Sequence, residues 1–306
     1  MKKTNICITG ILGYISREIC ELLKDNPNYN IYGFDNRFLP ETVKWLSKNK
    51  IQYYERDIFD SEDLIKRADI VIHTAGETAV PQTLQQSTPE KNSLITKIGT
   101  GGTKEIISNL KESAHLLFFS THVIFEGLNN PEFQNIDENF APCPVLAYGT
   151  SKRDSELDIK NSCKKYNILR LASVYGDNPN IRYSILPNLF SKKTALNQDL
   201  TVFGTGSNIK PLVGINDVAR FVHFLILNQE FHNQTYNVVN EHKTVKEIAE
   251  ICQKNNKNIS IKFSNDPIIN NGYGLKKDKI LSTGFKFKQN LETEIEKMIK
   301  NWRVND

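Results

Sequence analysis

Short apolar runs alternate with longer amphipathic stretches through the first half of the chain. Runs of this length, bounded by polar or glycine-containing segments, predict strands, and apolar residues at helical spacing predict helices. A regular strand–helix alternation is typical of an α/β protein with a parallel sheet and helices on both faces. The predicted strands cover residues 5–9, 30–35, 51–56, 69–73, 115–119 and 166–171, and the first predicted helix runs from Arg17 to Lys24.

A glycine-containing turn, residues 10–16, joins the first strand to the first helix. Gly10 would make the tight turn, and Gly13 would let the backbone approach a pyrophosphate at the helix N-terminus, where free N–H groups and the helix dipole favour anions. Ser16 stands at the third glycine position, which serves close packing of helix on strand. Strand, glycine turn and helix in this order indicate dinucleotide binding.

The second strand ends at Asp35. An acidic residue at this point holds a ribose 2′-hydroxyl and repels a 2′-phosphate, so it favours NAD over NADP. Arg37 argues in the other direction, although an arginine at this point is also compatible with a solvated surface position. The first two strands therefore predict an NAD site.

The next two strand ends add further candidates at the same edge. Asp57 and Ile58 follow the third strand and are placed to touch an adenine, although Asp57 is equally suited to cap the helix that starts near Ser61. Small residues at 74–76 would let a cofactor lie against the carboxyl edge of the sheet. We expect His73 to have a packing role.

Tyr148 and Lys152 are the strongest candidates for chemistry. On a helix, residues four apart share one face. A free tyrosine has a pKa of about 10, and a nearby lysine cation favours the phenolate, which makes the tyrosine a usable general acid and base. Ser120 and Thr121, after the fifth strand, offer a hydroxyl to the same site. The alternatives are an exposed helix pair and hydroxyls that only satisfy local backbone groups.

The regular alternation ends near residue 176. We expect a helix over 184–191, a strand over 200–203 and a helix from Ile215, with Asn216 as its N-cap. A helix over 90–111 would be interrupted by Gly99, Gly101 and Gly102, and the Tyr148 helix would run to about Lys165. The predicted division is a dinucleotide-binding part, 1–172 and 213–231, and a substrate-binding part, 173–212 and 232–306.

Composition excludes several classes of protein. The 306 residues are 39% hydrophobic and 24% charged, and the net charge of +4 comes from scattered lysines, so we expect no nucleic-acid partner. No apolar stretch is long enough for a membrane span, and the N-terminal apolar run is too short for a signal peptide. The five cysteines are odd in number and lack metal-ligand spacing. We therefore expect a cytoplasmic protein with reduced thiols and no metal site.

The order of these motifs resembles the extended short-chain dehydrogenase/reductase family, in its NAD-dependent epimerase/dehydratase branch. The resemblance covers nearly the whole chain. It rests on Thr9-Gly10-x-x-Gly13-Tyr14, Asp35-Asn36, Asp57, 71–76, Ser120-Thr121, Tyr148-x-x-x-Lys152, Leu169-Arg170, Val174-Tyr175-Gly176, 202–206, 216–219, 236–238 and 244–249. It implies an α/β fold with a Rossmann-type doubly wound parallel sheet and a smaller α/β C-terminal substrate-binding part.

The resemblance also implies roles for individual residues. Thr121 would orient the reacting hydroxyl, Tyr148 would move the proton, and Lys152 would lower the tyrosine pKa and hold the nicotinamide ribose. The implied cofactor contacts are Gly10, Leu12, Gly13, Tyr14, Ile15, Asp35, Asn36, Asp57, Ile58, Thr74, Ala75, Gly76, Tyr148 and Lys152. The implied substrate contacts are Thr78, Thr121, His122, Ser173 and Lys210.

Five positions depart from the family pattern. His122 and Val123 stand where sugar dehydratases have Asp-Glu, and dehydration needs an acid and a base, so a 4,6-dehydratase is disfavoured. Gly99 and Ser173 replace asparagines that many members carry. Lys210 replaces an arginine that grips the substrate diphosphate, and a lysine lacks the bidentate fork.

Three functions remain open from the sequence. The first is a nucleotide-sugar epimerase, most simply at C4, which uses bound NAD without net consumption. The second is a 4-keto-sugar reductase, because residues 120–127 and 148–152 are similar to those of dTDP-4-dehydrorhamnose reductases. The third is a silent binding or scaffold protein, which the intact Thr121, Tyr148 and Lys152 set disfavours. The family also implies a homodimer through the helices over 90–111 and 148–165.

Overall fold

Strands and helices alternate along the part of the chain that the computed structural model describes, residues 3–78, 87–128, 135–265 and 272–304. The strands of these residues are β1 Thr4–Thr9, β2 Tyr29–Asp35, β3 Gln52–Glu55, β4 Ile70–His73, β5 His115–Thr121, β6 Tyr166–Leu171, β7 Ser173–Tyr175, β8 Leu200–Phe203, β9 Ile209–Gly214, β10 Gln234–Val238, β11 Glu241–Thr244 and β12 Ile261–Ser264. The helices are α1 Tyr14–Leu23, α2 Pro40–Lys48, α3 Glu62–Lys66, α4 Pro89–Thr96, α5 Gly102–Asn109, α6 Ala147–Ser162, α7 Leu186–Ala195, α8 Ile215–Leu227, α9 Val245–Asn255, α10 Asp278–Ser282 and α11 Leu291–Val304.

Seven parallel strands form the large sheet, in the order β3-β2-β1-β4-β5-β6-β10. Helices cover both faces, which explains why strands such as β5 are buried along their whole length. The strand order reverses between β1 and β4, and ligands of doubly wound sheets bind in the crevice outside the carboxyl ends at such a point. The predicted α/β fold class is confirmed.

Two smaller sheets lie beyond the large one. β7 pairs in parallel with β9, β9 pairs antiparallel with β11, and β8 pairs in parallel with β12. They share a second apolar core with α7, α9 and α11, built from residues such as Phe190, Ile248 and Leu291.

The predicted division of the chain needs one correction. The strand β10 pairs with β6 in the large sheet, although the prediction placed its residues in the substrate-binding part. Its residues Tyr236 and Val238 are buried in the core of the large sheet, so packing rather than chain order decides where it belongs. The rest of the division stays a prediction.

Several helix boundaries also differ from the prediction, since α6 ends at Ser162 and α7 covers Leu186–Ala195, and three further differences have a clear physical reason. α1 begins at Tyr14, not Arg17, because Gly13 itself is the N-cap. The glycines at 99–102 do not interrupt their helix, since a π-helical turn over Lys97–Gly101 joins α4 to α5. Asn216 is not the N-cap of α8. Gly214 takes that position, and the side chain of Gln289 accepts hydrogen bonds from the first amides.

The glycine at 99 has a packing function that the sequence pattern concealed. A side chain there would clash with the hydroxyl of Ser151 on α6, so the glycine lets the two helices approach closely. Within the described residues, no helix has both the length and the apolar character that a membrane span requires.

Candidate active site

The glycine turn between β1 and α1 is closed by main-chain hydrogen bonds. The amide of Gly10 donates to the Phe34 carbonyl at 2.8 Å, and that of Gly13 donates to the Gly10 carbonyl at 2.9 Å. Gly10 has φ +67°, and a Cβ there would lie 2.9 Å from the Cα of Ala75. The N-cap of α1 is Gly13, which has no side chain with which to cap the helix. The turn therefore brings bare backbone and helix amides to the crevice, as a pyrophosphate would require.

Ser16 performs the packing task of the third glycine. Its hydroxyl lies 2.6 Å from that of Thr74, and Thr74 donates to the Thr9 carbonyl at 2.6 Å. Since a hydroxyl has one proton, Ser16 is the donor to Thr74. This chain of bonds ties α1 to the ends of β1 and β4 and holds the small segment 74–76 against the turn.

The acidic residues after β2 and β3 lie side by side. The side-chain amide of Asn36 donates to the Asp57 carboxylate at 3.1 Å. Asp35 is 5% exposed, and its carboxylate accepts from the main-chain amide of Leu12 at 3.2 Å. Asp57 also caps the short helical turn Ile58–Asp60, whereas Ser61 is the N-cap of α3. The candidate adenosine contacts are therefore brought together, and Asp57 does not cap α3.

His73 is a packing residue, as expected. Thr103 donates its hydroxyl proton to the Gly99 carbonyl and so accepts from Nε2–H at 3.2 Å, which leaves Nδ1 of the neutral ring to accept from the Thr9 hydroxyl at 2.8 Å. Burial, helped by the charge of Lys152, lowers the pKa of His73 to about 3. The imidazole is therefore neutral and has both nitrogens engaged.

Tyr148, Lys152 and Thr121 meet at the carboxyl end of β5. The ammonium of Lys152, 5% exposed, donates to the Phe119 carbonyl at 2.7 Å. It also lies beside Gly76, 3.8 Å from where a Cβ would stand. Burial lowers the pKa of Lys152 to about 8, and the negative charge of Glu156 opposes that fall. The lysine thus links the tyrosine helix to the edge where a cofactor would lie.

The tyrosine pKa does not follow the expectation. Burial raises the pKa of Tyr148, while the positive charge of Arg182 and a hydrogen bond with the Thr121 side chain lower it. The charge of Lys152 is not among these causes, and its effect on the tyrosine pKa stays a prediction. The ammonium is directed to a carbonyl, and the cation that favours the phenolate comes from another segment.

Arg182 is a site residue that the sequence did not reveal. Its guanidinium donates to the Thr78 carbonyl and, at 2.9 Å, to the Ser184 hydroxyl. The main-chain carbonyl of Arg182 accepts a hydrogen bond from the side-chain amide of Asn188. It lies on a polar segment after β7 with no motif of its own. Thr78, a predicted substrate contact, is placed beside the site through its main chain.

The predicted substrate residues His122, Ser173 and Lys210 do come together. Tyr273, which the sequence did not single out, donates to the His122 carbonyl at 2.7 Å and so accepts from Nδ1–H at 2.9 Å. Nε2 is therefore the unprotonated nitrogen, and it lies 3.5 Å from the Ser173 hydroxyl. Burial, with the nearby charges of Lys210 and His242, lowers the pKa of His122 to about 3.

A buried ion pair supports this edge from below. Glu156, one turn after Lys152, accepts three hydrogen bonds from Arg170 at 2.7, 3.0 and 3.2 Å and one from Ser120 at 2.6 Å. Both charged side chains are 2% exposed. Ser120 therefore serves this network, while Thr121 bonds the tyrosine.

One crevice combines a candidate dinucleotide-binding site with the candidate proton-transfer residues Thr121, Tyr148 and Lys152. Gly10 and Gly13 let the turn pack closely on backbone, no atom of the described residues lies nearer than 3.8 Å to a Cβ added at Gly76, and Asp35 and Asp57 lie at the strand ends where a ribose and an adenine would be held, so the residues fit NAD. In the described ranges, no group of three or more histidine, cysteine or acidic residues is placed to hold a metal ion. Fold and site define a dinucleotide-dependent enzyme of the Rossmann type.

Comparison with known proteins narrows this class. A sequence model of the NAD-dependent epimerase/dehydratase family matches residues 6–239. The chain belongs to this family. A relative in Methanocaldococcus jannaschii, provisionally named a UDP-glucose 4-epimerase, is 28% identical over 260 residues, with 81% of each chain covered.

Two solved structures share the fold over 99% of both chains. The UDP-glucuronic acid 4-epimerase of Bacillus cereus, in complex with UDP-glucuronic acid and NAD, has a TM-score of 0.85 at 20% identity. The UDP-glucose 4-epimerase of Thermotoga maritima, with UDP-glucose, has a TM-score of 0.81 at 22% identity.

Proposed function

We propose that this protein is an NAD-dependent nucleotide-sugar epimerase that inverts C4 of the sugar. The observation that carries the proposal is the Lys152 ammonium, bonded to the Phe119 carbonyl of β5 and lying beside Gly76, on the helix that also carries Tyr148, whose phenol interacts with the Thr121 side chain at the end of β5. The names of the relative from M. jannaschii and of the two solved epimerases support the same activity.

The proton-handling residues suit this chemistry. Tyr148 takes the proton of the C4 hydroxyl and later returns it, while Thr121 fixes the direction of the phenol. Arg182 stabilises the phenolate that forms between the two steps. Lys152 uses one of its three N–H bonds on Phe119 and offers donors to the nicotinamide ribose. Bound NAD would supply the hydride acceptor and, as NADH, the hydride donor at C4.

The substrate side combines a neutral hydrogen-bond acceptor with a positive charge. His122 is neutral and presents Nε2 as an acceptor for a sugar hydroxyl, and the ammonium of Lys210 attracts the diphosphate. Neither Asp nor Glu follows Thr121, so the acid that dehydration needs is not supplied there. The geometry thus favours a nucleotide-linked sugar and an epimerase rather than a dehydratase.

The test uses the purified full chain. The nucleotide released on denaturation is identified, and UDP-glucose and UDP-glucuronic acid are then followed by NMR. We expect conversion to the C4 epimers with no net reduction of NAD. Tyr148→Phe should lower kcat by about 10²- to 10⁴-fold with the amount of bound NAD unchanged. Tyr166→Phe, at the opposite edge of the sheet, should leave kcat unchanged. Consumption of one NADH or NADPH per turnover would contradict the proposal.

A 4-keto-sugar reductase is the second candidate. It would use the same three residues once, with the reduced cofactor as a consumed substrate. The observation that favours it is the ion pair between Arg37 and Asp35, which occupies the carboxylate expected to hold the cofactor ribose. A cofactor that must displace an arginine exchanges more readily than one that an epimerase retains.

We also propose a homodimer in the cytoplasm. Leu94 on α4 is 46% exposed and Leu157 on α6 is 52% exposed, and these two helices pack side by side, so an apolar face is available for a second copy. The five cysteines are free, which suits a reducing compartment. The dinucleotide-binding part would be 1–172, 213–231 and β10, and the remaining ranges would bind substrate.

A further inference from the structure

The segment between β7 and α7 is bonded to the glycine turn. The side-chain amide of Asn180 donates to the Leu12 carbonyl at 2.7 Å, and that of Asn178 donates to the Tyr14 carbonyl at 3.0 Å. In the other direction, the buried Tyr14 hydroxyl donates to the Gly176 carbonyl at 2.6 Å. Three hydrogen bonds therefore join the turn to a part of the chain that is 162 to 168 positions away.

The two asparagines also fix the direction of the turn. Because a peptide unit is planar, a held Tyr14 carbonyl also holds the amide of Ile15. That amide is among the first of α1, which have no acceptor within the helix and face a pyrophosphate in sites of this kind. Thr42 on α2 donates to Oδ1 of Asn180 at 2.9 Å, which directs the NH₂ group of Asn180 to Leu12. The turn is thus held in the shape that a cofactor would need.

One buried side chain braces residues 176–182 from end to end. Asn188 on α7 is 0% exposed. Its Oδ1 accepts from the main-chain amide of Gly176 at 3.2 Å, and its Nδ2 donates to the Arg182 carbonyl at 3.1 Å. Both ends of the segment are therefore tied to the same side chain, so a displacement at the turn is passed on to Arg182.

The far end of the segment reaches the proton-transfer residues. The Arg182 guanidinium donates to the Thr78 carbonyl, in the segment after β4. Burial raises the pKa of Tyr148, and the charge of Arg182 and a hydrogen bond with the Thr121 side chain lower it. Lys152, one turn further along α6, directs its ammonium to a carbonyl of β5. Arg182 therefore ends a continuous connection from the glycine turn to the tyrosine.

We propose that Asn178 and Asn180 are positioning residues that hold the glycine turn and Arg182 as one unit, so that NAD bound at the turn fixes the cation beside Tyr148. The inference rests on the NAD binding and the proton transfer by Tyr148 in the proposed function, but not on its epimerase chemistry. Coupling between two sites is reciprocal. Release of Arg182 should therefore weaken NAD binding just as loss of Asn180 does.

The first test is a double-mutant cycle on NAD⁺ affinity, measured by calorimetric titration of the full chain after retained nucleotide has been removed and quantified. Asn180→Ala should raise the Kd for NAD⁺ by about three- to tenfold, as expected for one lost hydrogen bond, and Asn178→Ala should act in the same direction. Arg182→Gln should also raise it. The protein with both Asn180→Ala and Arg182→Gln should bind about as weakly as the weaker single variant, because either change breaks the same connection.

The second test follows the charge of Tyr148 in the NAD⁺-saturated protein. The phenolate absorbance in the near ultraviolet is titrated with pH for each protein and for its Tyr148→Phe counterpart, and the difference reports Tyr148 alone. In Asn180→Ala the guanidinium is held less firmly beside the phenol. The Tyr148 titration should therefore move to higher pH by about half a pH unit or more.

Asn228→Ala is the matched control for both tests. It removes a side-chain bond of the same kind, 2.7 Å to the Phe224 carbonyl at the end of α8, where no bond leads to the glycine turn within the described part of the chain. We expect its NAD⁺ affinity and its Tyr148 titration to equal those of wild type.

Three outcomes would overturn the proposal. They are an NAD⁺ affinity of Asn180→Ala equal to that of Asn228→Ala, effects of Asn180→Ala and Arg182→Gln that multiply in the double variant, and a Tyr148 titration that Asn180→Ala does not move. Neither test needs turnover. Absence of epimerase activity with these shifts intact would therefore overturn the proposed activity and leave the coupling standing.

Discussion

The two edges of the crevice are built from different parts of the polypeptide. The cofactor edge is made of backbone: the amides of Gly10 and Gly13 close their turn on main-chain carbonyls within 35 residues of the N-terminus. The substrate edge is made of side chains from distant segments, such as Thr121 with Tyr148 and His122 with Tyr273. A substitution should therefore act through conformation at the first edge and through lost charge and hydrogen bonds at the second.

The largest effect should come from the buried ion pair under the substrate edge. Glu156→Gln leaves the guanidinium of Arg170 buried beside a neutral amide, and breaking such a pair typically costs about 3–5 kcal/mol. We expect that loss in the free energy of unfolding, measured by urea denaturation. Glu112→Gln, whose pair with Lys164 is exposed on both sides, should change it little.

A double variant tests the same ion pair if Glu156→Gln does not fold. Replacing both partners, as in Glu156→Gln with Arg170→Met, removes the unpaired charge and should recover part of the lost stability. A Glu156→Gln protein as stable as wild type would show that this edge does not depend on its buried charges.

At the cofactor edge, the corresponding test is Gly10→Ala. The φ of +67° and the close approach to Ala75 both oppose a side chain. Gly284 has φ +85° and no atom within 4 Å of an added Cβ, so Gly284→Ala measures the conformational cost alone. We expect Gly10→Ala to lose about 1–3 kcal/mol more unfolding free energy than Gly284→Ala, because overpacking adds to the strain.

The same pair of variants reports on the cofactor. Gly10→Ala should also weaken NAD⁺ binding, since its methyl group would push the turn away from segment 74–76, whereas Gly284→Ala should bind NAD⁺ as wild type does. Equal stability losses in the two variants would mean that the contact with Ala75 relaxes freely, and that the turn is less rigid than its hydrogen bonds indicate.

The contrast between the edges also explains which features were predictable from sequence. The glycine turn, Asp35 and the Tyr148–Lys152 pair are encoded by neighbouring residues, so local spacing locates them. Arg182 and Tyr273 reach the site from segments without a motif, and only tertiary packing brings them there. The raised pKa of Tyr148 depends on burial, which no local pattern contains.

The glycines of the α4–α5 region also show why a local pattern cannot predict every helix. The residues at 99–102 predict a broken helix when propensity alone is considered. Gly99 faces the neighbouring helix, where the Ser151 hydroxyl leaves no space for a side chain, and Gly102 packs against Ile58. A close approach between two helices distant in sequence has the same local signature as a helix breaker, so structure was needed to tell them apart.

The smallest predicted effect concerns acid, and it applies to both edges. Burial holds His73 at the cofactor edge and His122 at the substrate edge neutral, with pKa lowered to about 3, against about 6.5 in an unfolded chain. As the pH falls below 6.5, protons bind the unfolded chain first, so the stabilisation present above that pH is lost progressively toward pH 3. Each histidine should remove about 1.4 kcal/mol of unfolding free energy between pH 7.5 and 5.5. Urea denaturation of wild type and His122→Gln at both pH values measures this. The variant should lose about 1.4 kcal/mol less than wild type, and equal losses would mean that His122 is protonated in the folded protein and is not the fixed acceptor proposed for the substrate edge.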